Sequence, residues 1–170
     1  SLHDALPIWI ERFREEFQRR APFALRPARD LPPVRFHDHL GLHPQGGGRW
    51  FYGVAVPSGR VADGAIAWKT TFRRIVEELR PGVVITPQQN FLFTDLDERG
   101  AQRVEEVLAG AGIPLADSLT PLRRHHMTCV SLLTCGLALA ESERAMPGIL
   151  DEFEAEFQRL GIAGAPVSVR

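Results

Sequence analysis

The sequence predicts an α+β fold. Three observations carry this prediction. Short runs of aromatic and β-branched residues, bounded by Gly and Pro, recur between residues 50 and 94, as strands require. Helical patterns, with apolar residues at three- and four-residue steps, follow the strand pairs. The resulting order, β-β-α-β-β-α, lays helices on one face of a sheet.

Bulk properties narrow the class. A chain of 170 residues can bury a real core in one or two domains. A formal net charge of −1 leaves no electrostatic footprint for nucleic acid. No apolar run approaches the ~20 residues that span a bilayer, so no membrane segment is expected. Residues 1–8 include His3 and Asp4 and have no long apolar core, unlike a signal peptide. Two cysteines do not make a disulfide scaffold, and a reducing cytoplasm is the expected location.

The elements follow in order. Residues 9–18 predict a helix, with Trp9, Ile10, Phe13 and Phe17 on one face and Glu11, Arg12, Glu15 and Glu16 on the other. Residues 21–33 carry four prolines and read as an extended linker. His37, His39 and His43 could meet at a metal, but no carboxylate or cysteine spacing completes a known pattern. Gln45 to Gly48 lacks the Lys-Ser/Thr of a phosphate loop and reads as a flexible turn. Residues 50–56 predict a strand, residues 57–59 a hairpin turn, and residues 60–66 the returning strand.

A helix over 70–79 follows, with Thr70 or Thr71 as its cap and Phe72, Ile75, Val76 and Leu79 inward. Residues 80–82 stop it. Residues 83–86 predict a short buried strand and 91–94 another. Residues 101–109 form a helix with Val104, Val107 and Leu108 inward. A connector with Pro114 and Pro121 leads to Arg123, Arg124, His125 and His126. A helix is expected from Cys135 to about Ala145, broken by residues 146–148. An amphipathic helix over 149–160 follows, with Ile149, Phe153 and Phe157 inward. Residues 165–170 begin a strand for which no partner is evident.

Chemistry concentrates in two places. Cys129 and Cys135 form a C-x5-C pair, with Cys135 opening the apolar helical pattern. A thiol at a helix N-terminus is expected to have a lowered pKa and to favour the metal-binding thiolate. Taken alone, the pair is more simply two small buried side chains. Zinc is the rival metal, with His125 or His126 as a further ligand, but that i to i+4 spacing needs a helix which the run after Thr128 does not promise. The second place is Thr86-Pro87-Gln88-Gln89-Asn90, a polar turn between strands. Amide side chains there offer hydrogen bonds without titrating.

The run Met127-Thr-Cys-Val-Ser-Leu-Leu-Thr-Cys-Gly-Leu-Ala-Leu-Ala-Glu-Ser-Glu-Arg144 resembles the first cysteine motif of the sulfite/nitrite reductase hemoproteins, and its flanks resemble the sulfite branch. The match extends over about 9–170. It implies a ferredoxin-like half-domain (β-β-α-β-β-α) over 45–113. The truncated start of the siroheme and iron–sulfur domain would follow over 114–170. Residues 9–44 would be the tail of a preceding domain and a linker, and residues 1–8 a non-native scar. In the family a second cysteine pair follows a V-x-V-R segment like Val167 to Arg170, so the chain reads as a fragment.

The resemblance further implies siroheme and a 4Fe-4S cluster, with Cys129 and Cys135 as two of the cluster's ligands. Thr86, Gln89 and Asn90 match the family's T-x-N-Q-N turn facing siroheme, with Gln88 in place of an asparagine. Arg124 would hold a macrocycle carboxylate. Lys69 matches a family lysine, or is simply a solvated charge. The implied reaction is six-electron reduction of sulfite to sulfide, with electrons from ferredoxin or an NADPH-dependent flavoprotein. No catalytic residue is expected within these residues. A nitrite reductase of the same family, a non-enzymatic α+β binding domain and a zinc module are the alternatives.

Overall fold

The computed structural model describes residues 2–24, 38–132 and 134–170. The proline-rich linker expected over 21–33 and His37 fall largely or wholly outside these residues. Two compact units are present, residues 1–36 and 37–170. The first contains α1 (Leu2–Arg20), a longer helix than the periodicity of 9–18 suggests. Within it Phe13 stacks on Phe17 at 6.2 Å, and Phe17 meets Phe23 edge-on at 6.3 Å.

The second unit is built on a four-stranded antiparallel sheet with strand order β1-β2-β4-β3. Its strands are β1 (Gly41–Gly46), β2 (Arg49–Val54), β3 (Gly82–Ile85) and β4 (Phe91–Leu96). Helices α2 (Trp68–Leu79) and α3 (Glu98–Gly110) complete the β-β-α-β-β-α order. This is the mixed α+β architecture the sequence predicts, but the first strand pair sits elsewhere. The expected strand over 60–66 is a loop holding only an isolated bridge, Asp63 to Ala67. The true partner of β2 precedes it and pairs across Gly46, Gly47 and Gly48, all at positive φ.

Strand β1 hides from sequence reading because it carries Gly41, His43 and Pro44. It lies at the sheet edge, where a missing proline N–H is tolerated. Gly53 of β2 is required by a close approach: a Cβ there would stand 1.8 Å from the His39 carbonyl oxygen. The other edge strand, β3, is also corrected. Its apolar run predicts burial, yet Ile85 is 74% exposed and Val83 and Val84 are nearly half exposed.

Buried Tyr52, Val54, Phe72, Ile75, Phe93, Val104 and Leu108 form the core between sheet and helices. Phe93 is fully enclosed and meets Phe72 at 5.2 Å and Phe91 at 5.1 Å. Neither Thr70 nor Thr71 caps α2. The Asp63 carboxylate accepts from the Thr70 N–H at 2.9 Å and from its hydroxyl at 2.8 Å, doing the capping from outside the helix. Val76 faces solvent rather than the core. At α3 the Asp97 side chain accepts from the Gly100 N–H and supplies a local cap.

Beyond the half-domain lie α4 (Pro121–His125) and α5 (Met146–Arg159). Pro147 opens α5 rather than ending a preceding helix, as its fixed φ and missing N–H suit the first turn. The inward residues shift accordingly: Met146 and Leu150 are buried with Leu122, whereas Ile149 and Phe153 are exposed. The expected helix from Cys135 to Ala145 is absent; the stretch is a series of turns, with Leu139 99% exposed. The C-terminal residues form no strand. They are held instead by the Met127 N–H on the Val169 carbonyl and the Ser168 hydroxyl on the His125 carbonyl.

Candidate functional site

The turn over 86–90 is built by its own backbone. The Thr86 N–H donates to the Asn90 carbonyl at 2.9 Å, and the Gln89 N–H to the Thr86 carbonyl at 3.0 Å. The Asn90 N–H donates to Thr86 Oγ1 at 3.2 Å. Thr86 therefore shapes the turn. Gln89 takes the left-handed conformation, with φ of 62°.

This geometry sends neighbouring amides in different directions. Gln89 Nε2 donates to the Thr128 carbonyl at 2.6 Å, and the Thr128 N–H donates to Gln89 Oε1 at 3.2 Å. The turn is thereby joined to the residue immediately before Cys129. Asn90 is 5% exposed. Its Oδ1 accepts from the Val56 N–H at 3.3 Å, while its Nδ2 is buried without a partner. Asn90 lines a cavity of about 200 Å³, with Val56, Pro57, Leu119, Arg123, His126 and Leu150 among its walls.

The basic cluster is already engaged. Arg124 donates from Nε to Asp38 Oδ2 at 2.6 Å, from Nη2 to Oδ1 at 3.0 Å and from Nη1 to the Ala116 carbonyl at 2.9 Å. Arg123 grips Glu154 through Nε and Nη2 and also reaches Asp151. His126 holds its Nδ1 on the Arg123 carbonyl at 2.7 Å. Burial pushes its pKa down, outweighing the carbonyl that favours its charged form. The cavity wall at His126 thus prefers a neutral ring. Lys69 is exposed on the first turn of α2.

Both cysteines are free thiols on one loop closed by Ser131. Ser131 is buried with φ of 53°; its hydroxyl donates to the Ala140 carbonyl and accepts from the Ser142 N–H at 2.9 Å. The Cys135 N–H donates to the Ser131 carbonyl at 2.9 Å. The expectation of a helix dipole acting on Cys135 is overturned, since no helix starts there. Instead the pKa of Cys129 is lowered, chiefly by the Ser142 hydroxyl 3.3 Å from its sulfur. Sequence reasoning missed Asp38, Gly59, Thr128, Ser131 and Ser142. Thr128, Ser131 and Ser142 had a signal, lying within the cysteine run.

Residues 42–111 match the family model for the nitrite/sulfite reductase ferredoxin-like half domain. Over that span the chain carries the ferredoxin-like half domain of the nitrite/sulfite reductases. It is 34% identical over 162 residues to a ferredoxin sulfite reductase of Synechococcus elongatus, covering 95% of this chain and 26% of that protein. It is 36% identical over 165 residues to the NADPH sulfite reductase hemoprotein beta-component of Chromohalobacter salexigens, covering 96% and 28%. The chain thus spans little more than a quarter of these curated relatives. The Mycobacterium tuberculosis NirA protein shares the fold, with a TM-score of 0.70 and 22% identity over 96% of this chain and 30% of that one.

The residues present fit part of the family's cofactor set. Two thiols on one closed loop are soft ligands of the kind iron–sulfur clusters take. The unpartnered amide of Asn90 fits a ligand acceptor such as a carboxylate oxygen. Among the described residues no group of three or more His, Cys, Asp or Glu side chains could hold a metal ion. No described helix is long and apolar enough to cross a membrane.

Proposed function

We propose that this chain supplies the half-domain and first cysteine pair of a siroheme and 4Fe-4S reductase that takes sulfite to sulfide by six electrons. The observation carrying this reading is the Gln89–Thr128 pairing. It joins two motifs, the amide turn and the cysteine run, that lie 39 residues apart in sequence. Their meeting is what a shared cofactor site needs.

In this reading Cys129 and Cys135 hold part of the cluster, and Asn90 donates its spare N–H to an acidic edge of the macrocycle. Arg124 keeps two N–H donors beyond those given to Asp38 and Ala116, which could reach the same edge. When bound, the cofactors supply the electron path and the iron at which the anion is reduced. Thr86 shapes the turn, and the closed loop orients the thiols. Ferredoxin or an NADPH-dependent flavoprotein would deliver the electrons, matching the donors named for the curated relatives.

The test is made on the full reading frame that encodes these residues. Anaerobically reconstituted protein is expected to show siroheme absorption and a cluster EPR signal, and to turn over sulfite faster than nitrite with a reduced viologen. Cys129→Ser should abolish the cluster signal. A wild-type protein without cluster or siroheme would end the proposal, and faster turnover of nitrite would move it to the sister activity.

A further inference from the structure

We propose that Gln89 is a positioning residue: it fixes the peptide leading into Cys129, so that the half-domain sets where the first thiolate lies. The claim rests on Cys129 being a metal ligand; the clamp itself is visible without that reading. Gln89 Nε2 donates to the carbonyl of the Thr128–Cys129 peptide at 2.6 Å, and Oε1 accepts from the Thr128 N–H at 3.2 Å. A primary amide offers one donor and one acceptor in a planar fork that matches the N–H and C=O of a single residue, here Thr128. Glutamate could keep the acceptor but would face the carbonyl with a second oxygen. Asparagine is one methylene too short to keep both contacts from the same backbone.

The backbone under Gln89 is arranged for this reach. Its left-handed φ of 62° is held by the Thr86 and Asn90 hydrogen bonds. A non-glycine residue in that region is strained, so the surrounding turn must over-determine it. Gly59 makes the space: it has φ of 67°, and a Cβ there would stand 3.1 Å from Gln89 Cβ. From the other side, the Ser142 hydroxyl donates to the Cys129 carbonyl at 3.2 Å. Residue 129 is therefore held at the peptide before it by one motif and at its own carbonyl by the other. Gln89 lies in the turn matched to cofactor contact, yet both ends of its amide are spent on the protein.

The experiment uses the 170-residue chain, with amide exchange followed by NMR and Cd2+ as a thiolate probe. In Gln89→Ala the Thr128 amide should exchange about tenfold faster or more, while the Phe93 and Val104 amides keep their protection and report an intact core. Cd2+ affinity, read from thiolate-to-cadmium absorption, should fall by about tenfold in the same variant. Gln89→Glu should retain much of the Thr128 protection but not the full Cd2+ affinity. Unchanged Thr128 exchange in a folded Gln89→Ala would overturn the clamp. Faster exchange with unchanged Cd2+ affinity would overturn the positioning role. A wild-type chain that takes up no Cd2+ would instead remove the thiol-pair reading, leaving Thr128 exchange to decide the clamp alone.

Discussion

Arg124 and Asp38 form a two-point ion pair, Nε to Oδ2 at 2.6 Å and Nη2 to Oδ1 at 3.0 Å, across 86 residues of chain. The side chains are 22% and 11% exposed. The Asp38 carboxylate also accepts from the Leu40 N–H at 3.0 Å, at the entrance to β1. One interaction thus ties the start of the sheet to α4. Its loss should be felt at both ends.

Asp38→Ala is expected to destabilise the chain by about 2 kcal/mol, because Arg124 is left partly buried and unpaired. Burial raises the Asp38 carboxyl, but its bonds to Arg124 and Leu40 outweigh that and leave its pKa below the ordinary value. A depressed carboxyl contributes stability above its unfolded pKa and loses it as pH falls through the folded value. The wild type should therefore lose this contribution below about pH 4. Denaturant midpoints of wild type and Asp38→Ala should converge there, and a constant gap down to pH 2 would reject the assignment.

His126 should give a second, higher pH window. Burial lowers its pKa, so the folded chain binds its proton less readily than the unfolded chain. Stability should be full above about pH 6.5 and fall as pH drops from there toward the folded pKa. His126→Phe should flatten that slope. Urea midpoints between pH 5 and 7 would show it, and identical slopes in the two proteins would refute it.

The sheet offers a contrast between an enclosed and an open apolar residue. Phe93→Ala removes a side chain with no exposure and should cost about 3–5 kcal/mol. Ile85→Ser on the open edge strand should change stability by less than about 0.5 kcal/mol. Comparable losses at the two positions, measured by thermal unfolding, would mean that β3 is covered in solution.

Ser131 should govern the cysteine loop. Ser131→Ala strands the Ser142 N–H and the Ala140 carbonyl and keeps the left-handed backbone strain, so a loss of about 1–3 kcal/mol is expected. Ser131→Gly relieves the strain while losing the same bonds, and should be the milder of the two. The ranking is checked by Ser142 amide exchange, and a harsher effect from glycine would contradict it.

The element order and the core were legible because they follow local pattern. The inward Val104, Val107 and Leu108 of α3 and the strand at Phe91 to Phe93 stand where periodicity puts them. Errors arose where pattern and environment part. Val83 and Val84 look like a buried strand but lie at an edge, and edges are set by strand order, which no local signal encodes. Leu137 and Leu139 look helical, yet no surface meets them and Ser131 captures the backbone instead. Pro147 reads as a breaker and acts as a starter, because the same missing N–H serves both.

The sequence by itself carried the family resemblance, the α+β class and the identity of the two thiols, since each depends on residues close together in the chain. Tertiary structure alone decided that Gln89 points at Thr128, that Asp38 answers Arg124 and that Asn90 is left with an unpaired donor. Those are contacts between distant segments, and their geometry follows from how the sheet order brings the segments together rather than from any spacing along the chain.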